Sequence, residues 1–580
     1  MKKAIALLLC AVMLLGSLAG CGGKQAAASA SAAKSSGSSA AESVQAPVES
    51  SGTASVDEAS YLPLVKEGDE PVTLTIGLQQ HANVEDYPTN EFTKYLEEKT
   101  GIHLEFVYFS SKIDEAMTQL SLMVSGGEKL PDILWSFADM EKSAMYEYGE
   151  EGYFLDLNDY FKNDAPYFWK SYNNIPEVDQ DRMFSLGTDP TNGAFYGFPH
   201  YIEFNVDDYL WMNAINQTWL DKLGLKAPTN VDELYDVLTA FKTKDPNGNG
   251  KADEIPMIGR SGGWRSDISD YIVNAYVYCD PEYIFNATDG KLWAPCTTDE
   301  YRQAMIYLNK LCSEGLLSTL NFTASASSEI IPIVTPSDGT ALTGIFSGHP
   351  LIVCEQGNEV MYQYTGLAPL ADATGKGGYS APKASYLVYS SFVTSDCEHP
   401  DLAFKLLDFM CADDSVYAMR YGKEGVDWER QEGKSVFGED SVVHVLNSEA
   451  FSAQCNETWQ NNGSTLDTHK NYAPIMVDDG SYASKSDQLA KSMYDANKSV
   501  SSPKELVYDL TYTADEQEVV SDVKKLLCDY IKEARAEFAT GVLDPNNDAD
   551  WQSYLNNLEN QGLSRLMEVS QSAYTRMNQK

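Results

Sequence analysis

Positive charge is scarce in this sequence: its 580 residues carry 42 Lys and Arg against 85 Asp and Glu, a formal charge of −43. Such a surface disfavours nucleic acid and anionic lipid as partners and favours solubility. Long apolar runs are also missing beyond the first 20 residues, so no later segment reads as membrane-spanning. The cysteines include no CxxC pair, which argues against a zinc ribbon and against a redox motif. His-Glu-x-x-His and the phosphate-binding Gly-rich loop are absent, as is any repeat of 20–50 residues. The composition therefore gives no support to the common hydrolase and nucleotide-binding chemistries.

What is present begins at the N-terminus. Lys2 and Lys3 precede an apolar run from Ala4 to Leu18, which ends in Leu18-Ala19-Gly20-Cys21. The run is about 15 residues, short of the ~20 that a spanning helix needs, and it fits a signal-peptide core. A small residue before cysteine at this point is a bacterial lipobox. Residues 1–20 thus read as a lipoprotein signal, and cleavage would leave Cys21 as a lipidated N-terminus, taking the charge from −43 to −45. An ordinary secretory signal with an incidental Cys21 is the alternative. Residues 21–60 are mostly Ala, Ser, Gly, Lys and Glu and have too little apolar surface to offset the entropy of ordering. They read as a flexible tether, or as a spacer with no role.

The remaining body, 61–580, exceeds a single core and suggests two lobes. Strand and helix patterns alternate from Val72 to Trp135: Val72–Ile76, a helical stripe in Asn90–Thr100, Ile102–Tyr108, a stripe through Met117, Leu120 and Val124, then Pro131–Trp135. This predicts an α/β fold with βαβ units and a mostly parallel sheet, whose ligand would sit beyond the strands' carboxyl ends. Helices are predicted at Thr229–Thr243, Thr297–Glu314 and Pro400–Ala412. A further stretch, Glu516–Gln579, reads as helical with a break near Gly541–Asp550. Of the ten cysteines, Cys10 and Cys21 belong to the leader. The other eight (Cys279, Cys296, Cys312, Cys354, Cys397, Cys411, Cys455 and Cys528) are scattered, and their pairing is left open.

The sharpest local pattern is Lys244-Asp245-Pro246-Asn247-Gly248-Asn249-Gly250-Lys251-Ala252-Asp253-Glu254-Ile255-Pro256. Oxygen-bearing side chains fall at 245, 247, 249 and 253, with a turn glycine at 250. An EF-hand-type loop wraps Ca²⁺ with this spacing, the seventh position donating its carbonyl. The expected ligands are Asp245, Asn247, Asn249, the Lys251 carbonyl, Asp253 and Glu254. The twelfth position is Pro256, so Glu254 must supply the closing acid. A plain Asn/Gly turn is the alternative, and a structural clamp fits better than a sensor. A second stretch, Asp544 to Trp551, lacks the turn glycine and reads as a loop and N-cap.

With these residues set out, the chain resembles the large family-1 extracellular solute-binding lipoproteins of ABC sugar importers, especially the calcium-containing oligosaccharide and alginate binders. The resemblance runs in order through Gly127-Glu128-Lys129-Leu130-Pro131-Asp132-Ile133, Gly193-Ala194-Phe195-Tyr196-Gly197-Phe198-Pro199 and Trp219-Leu220-Asp221-Lys222-Leu223-Gly224-Leu225 into the metal loop. It continues at Gly262-Gly263-Trp264, Tyr421-Gly422-Lys423-Glu424-Gly425-Val426-Asp427-Trp428, Phe538-Ala539-Thr540-Gly541 and Trp551-Gln552-Ser553-Tyr554. It implies a two-lobed, periplasmic-binding-protein-like fold (type II) with a helix-rich second lobe and C-terminus. It also implies a monomer that delivers a carbohydrate from an interlobe cleft to permease subunits, without catalysis. The implied cleft set is Trp135, Tyr196, His200, Trp211, Asn213, Trp264, Arg265 and Trp428. Relatives often read Arg-x-Asp-Trp where this chain has Trp211-Met212-Asn213 and no arginine, which leaves the charge of the sugar open. A binder of peptide or another non-sugar nutrient, and a secreted glycosidase with two carboxylates, are the alternatives.

Overall fold

Asn90 shows how local sequence sets the first helix. Its side-chain oxygen accepts from the Phe92 N–H at 2.9 Å, which starts a helix at Glu91–Thr100. Gly127, at φ 65°, stops the next helix, Ile113–Gly126. A computed structural model describes residues 61–203, 212–280, 283–381, 384–452, 454–460, 462–468, 476–498 and 503–578. The signal segment, Cys21 and the tether lie outside the described residues.

In chain order the first strands are β1 (Val72–Gln79), β2 (Ile102–Phe109), β3 (Ile133–Trp135), β4 (Phe198–Ile202), β5 (Asn213–Asn216) and β6 (Ile255–Ile258). Then come β7 (Asn286–Thr288), β8 (Lys291–Trp293), β9 (Thr343–Ser347) and β10 (Tyr364–Gly366). The last are β11 (Tyr386–Val393), β12 (Trp428–Lys434), β13 (Asp440–Val445) and β14 (Leu466–Asp467). One sheet has six strands in the order β14-β4-β11-β3-β1-β2, and a second has four in the order β10-β5-β9-β6. The pairs β7-β8 and β12-β13 stand apart as two-stranded ribbons.

Each main sheet has its own apolar core. The first is built from Leu74 to Tyr201, Tyr389 to Met419, and Trp459 with Leu466; the second from Met212 to Leu370 and Leu489 to Ala573. The chain therefore passes between cores at 202–212, 370–389 and 466–489, so each lobe is discontinuous in sequence. The expectation of a mostly parallel sheet holds in part: in the first sheet β1-β2, β1-β3 and β14-β4 pair in parallel, and in the second only β6-β9 does. Strand β11 is antiparallel to β3 and β4, and in the second sheet β5 is antiparallel to β9. Strand β11 arrives from the other lobe rather than through a βαβ crossover, so nothing obliges it to run parallel.

The predicted helices stand at Val231–Thr243, Asp299–Ser313 and Pro400–Met410, and the C-terminal stretch forms Ala514–Thr540, Asp548–Asn560 and Leu563–Met577. A second break, at Gly562 with φ 99°, was not foreseen. Asn547 caps the helix after the Asp544 loop, accepting from Ala549 N–H at 2.9 Å. All eight described cysteines are free thiols. Among the described residues no helix is long and apolar enough to cross a membrane.

One glycine ties the second sheet to its helix. A Cβ at Gly344 in β9 would lie 2.3 Å from Phe241 and 2.6 Å from the Pro256 carbonyl. Gly344→Ala is therefore expected to wedge the helix off the sheet and cost about 1–3 kcal/mol. The check is a lower urea midpoint with an unchanged m-value.

Candidate functional site

Strands β6 and β9 are parallel neighbours, with Ile258 opposite Phe346. Their carboxyl ends therefore release two loops side by side, the place where open α/β sheets bind ligands. The first loop carries Gly262, Gly263, Trp264 and Arg265; the second carries Gly348 and His349. Ser347 Oγ, at the end of β9, donates to the Arg265 carbonyl at 3.0 Å, and within the first loop Arg260 N–H donates to the Ser266 carbonyl at 2.6 Å. Arg265 adopts φ 49°, a left-handed backbone that costs energy for a side chain of this size. A Cβ at Gly348 would lie 2.6 Å from Ser266 Oγ, so this close approach needs glycine.

The loop presents Trp264 42% exposed, unusually open for tryptophan. The Arg265 guanidinium carbon lies 4.9 Å from its ring centre, and the His349 ring lies 6.0 Å away. Beside them opens a recess of 430 Å³, walled by Trp264, Arg265, Asp267, Asp280, Tyr283 and Lys532, among others. Its size suits a small ligand. Behind it the buried Arg535–Asp270 ion pair fixes the helix Ala514–Thr540, with Arg535 also bonded to Ser269 and Tyr301. Burial pushes the Asp270 carboxyl up to about 6, although Arg535 opposes this.

A second group of polar side chains stands where the lobes meet. His200 on β4 accepts the Thr465 N–H on Nδ1 at 3.3 Å, and burial holds its pKa down at about 4. Asp467 on β14 is fully buried, and neither carboxylate oxygen meets a hydrogen-bond donor. Burial raises it to about 7 against the weaker influence of Thr465 nearby and of Arg420. Asp487 comes from the second lobe, in the helix Tyr482–Asn497, and is raised to about 7 by burial; Arg420 opposes the shift and Asp478 adds to it. His349 is lowered to about 3, first by burial and then by Arg265 and Arg420. Asn213, at the start of β5 and opposite Ser347, is 1% exposed with both amide atoms unpaired.

The eight expected cleft residues thus divide. Trp264 and Arg265 share the recess, while His200 and Asn213 lie at the edges of the passage between lobes. Trp135 ends β3 fully buried, edge-on to Trp459 at 5.3 Å, its indole N–H unpaired. Tyr196 and Trp428 are packing residues here. The Tyr196 ring fills the space over Gly149, where a Cβ would lie 2.4 Å away, and its hydroxyl accepts from Asn192 at 2.8 Å. Trp428 donates to the Gly422 carbonyl at 2.9 Å and packs on Tyr417 in a small separate cluster. Trp211 lies outside the described residues. Sequence reasoning missed His349, Arg420, Asp467 and Asp487, which are far apart in the chain and fall in no motif.

The acidic loop joins the helix Val231–Thr243 directly to β6. Asp245 accepts from the Gly248 and Gly250 N–H groups at 2.9 and 3.1 Å, and Asp253 accepts from the Asn247 and Asn249 amides at 3.3 and 3.1 Å. Glu254 Oε1 is buried with no partner, and burial, then Asp245 and Asp253, raise its pKa. Lys222 donates to the Pro246 carbonyl at 2.7 Å. Among the described residues no three His, Cys, Asp or Glu side chains are arranged to hold a metal together. The expected set here includes two amides and a carbonyl, and its mutual repulsion and orphaned carboxylate oxygen suit a hard cation.

A two-lobed α/β body with an aromatic, polar recess where strand ends face the passage between lobes defines a binding protein. The family model described as bacterial extracellular solute-binding protein matches residues 81–416, and the chain belongs to that family. The fructooligosaccharide ABC transporter substrate-binding protein FusA of Streptococcus pneumoniae is 25% identical over 83% of this chain and 85% of its own. A polygalacturonan/rhamnogalacturonan-binding protein of Bacillus subtilis, YtcQ, is 25% identical over 40% of this chain and 42% of its own. The fold is that of S. pneumoniae FusA solved with kestose, at TM-score 0.70, 22% identity, 87% of this chain and 99% of that one. The alginate-binding protein AlgQ2, solved without calcium ion, gives TM-score 0.63 at 21% identity over 87% of this chain and 98% of its own.

The raised carboxyl of Asp467 has a consequence for stability. Between the ordinary carboxylate pKa and about 7 the folded state holds a proton that the unfolded chain has released, so stability falls as pH rises through that window. Asp467→Asn is expected to flatten the fall, leaving the variant closer to or above wild type at pH 8 than at pH 5. Urea midpoints at the two pH values measure it, and equal differences at both would refute it.

Proposed function

We propose that this chain is the lipid-anchored, extracytoplasmic solute-binding component of an ABC importer and takes a carbohydrate, an oligosaccharide, between its lobes. One observation carries the reading. An exposed Trp264 with Arg265 across its ring stands over strand ends, beside a passage edged by the unpaired polar atoms of Asn213 and Asp467. Aromatic faces suit the C–H faces of sugars, and buried unpaired donors and acceptors suit their hydroxyls. The names of FusA and YtcQ, both saccharide binders, support the same class. Cys21 would carry the lipid, with 21–60 as the tether beneath a monomeric body at 61–580. His200 completes the cleft set, Trp135 packs behind it in the core of the first lobe, and Trp211 keeps its place as a candidate.

Closure onto a ligand would bring Asp487 of the second lobe towards Arg420 and Asp467 of the first, and the ligand shifts that equilibrium only through contacts better made when closed. The chain performs no catalysis on this reading; new reducing ends on incubation with oligosaccharides would overturn it. In a thermal-shift screen an oligosaccharide at 100 times its Kd should stabilise by about 2.7 kcal/mol. Trp264→Ala should remove the shift while leaving the unliganded melting temperature nearly unchanged. Hits among peptides alone would sink the carbohydrate class.

The loop ligands Asp245, Asn247, Asn249, Lys251 (through its carbonyl), Asp253 and Glu254 are proposed to hold one structural Ca²⁺. A chelator should lower the melting temperature of wild type. The double variant Asp245→Ala, Asn247→Ala should start lower and no longer respond. No response in wild type would leave the loop a plain turn.

A further inference from the structure

We propose that the second lobe carries an additional saccharide-binding recess, apart from the passage between lobes, with Tyr276, Trp293 and Tyr379 as its aromatic walls. The cavity measures 510 Å³ and shares no lining residue with the recess at Trp264. All three residues are half-buried.

The walls are held rigidly. The hairpin β7-β8 turns at Asp289 and Gly290, at φ 51° and 75°. The Glu505 carboxylate accepts both turn N–H groups, at 2.8 and 3.1 Å. On the next residues Gln571 accepts from the Leu292 N–H at 2.8 Å and donates to the Gly290 carbonyl at 3.1 Å. Trp293 is oriented by its indole N–H, which donates to Thr288 Oγ1 at 3.1 Å. The opposite wall is pressed onto the core: a Cβ at Gly377 would lie 2.0 Å from the Ala275 carbonyl, and Tyr379 N–H donates to the Asn274 carbonyl at 3.0 Å. Tyr276 packs at 6.2 Å from Tyr307, and burial, with Asp232 and Asp372 nearby, keeps its phenol neutral.

A preorganised site of this kind loses little entropy on binding. The recess is lined by these three half-buried aromatic residues, by the buried Tyr278, and by polar residues including Asn286, Glu300 and Lys504. Rings present faces to C–H groups, and amide, carboxylate and ammonium groups exchange hydrogen bonds with hydroxyls; a neutral sugar uses both. Acid exceeds base along the wall, which disfavours phosphate and other anions.

The test rests on the proposed function only in using a glycan panel. Purified mature protein, Trp264→Ala, Trp293→Ala and Tyr379→Ala are titrated calorimetrically with gluco-, xylo-, fructo- and galacto-oligosaccharides, and folding is checked by melting temperature. The expected result is a second, weaker binding event that survives Trp264→Ala and is weakened roughly tenfold or more by Trp293→Ala and by Tyr379→Ala. If every binding event disappears with Trp264→Ala, or if Trp293→Ala and Tyr379→Ala change none, the second recess is overturned and the first reading stands. If no saccharide binds any form, or peptides bind through Trp293 and sugars do not, the carbohydrate class fails at both places.

Discussion

Arg420 acts electrostatically on two carboxylates that belong to different lobes, Asp467 of the first and Asp487 of the second. Much of the rest follows from that arrangement. Taking charge out of water is costly, and both acids respond by moving towards neutrality, to about 7. The neighbouring imidazoles respond the other way: His200 and His349 are held uncharged, at about 4 and 3. A boundary built from such groups cannot be sealed as an apolar core can. It leaves the two lobes with separate cores and a polar surface between them, which is what a body that opens and closes requires.

The sheets explain how side chains reach that boundary. Strands β6 and β9 end together because they are parallel and in register, so Trp264, Arg265 and His349 emerge as a group from two separate loops. The strained φ of Arg265 is tolerated because Ser347 and Ser266 hold the loop on both sides. On the first lobe β14 is only two residues long, yet its pairing with β4 sets Asp467 beside Ile202. Antiparallel β11 enters from the other lobe and lies between β4 and β3, joining the two halves of that sheet.

What could be read from the sequence follows from the range of each interaction. Asn90, Gly127, Asn230 and Asn547 act within four residues of themselves, and their helices begin and end where the caps indicate. The turn glycines of the acidic loop act just as locally. The aromatic residues behave differently, because the fate of a ring depends on what lies opposite it. Tyr196 is buried because Gly149 leaves room for it, and Trp428 because Tyr417 lies against it; neither partner is near enough in sequence to form a pattern. Trp264 escaped burial because two glycines precede it in a loop. His349, Arg420, Asp467 and Asp487 come from a loop, a helix end, a two-residue strand and another helix, and no spacing could have grouped them.

The acidic loop belongs to the same mechanical chain. It joins the helix Val231–Thr243 directly to β6, and β6 leads straight to the Trp264 loop. Without a cation, Asp245, Asp253 and the half-buried Glu254 repel one another across a turn that their own backbone and amide hydrogen bonds must hold. On the proposed reading a cation would convert that repulsion into coordination, and the stiffened turn would fix where β6 begins. The benefit would appear at the far end of the strand. Trp264 and Arg265 can stack on a ligand with little entropic loss only if the strand that carries them does not slide. A metal placed well away from the ligand would thus contribute to affinity through geometry, without touching the ligand.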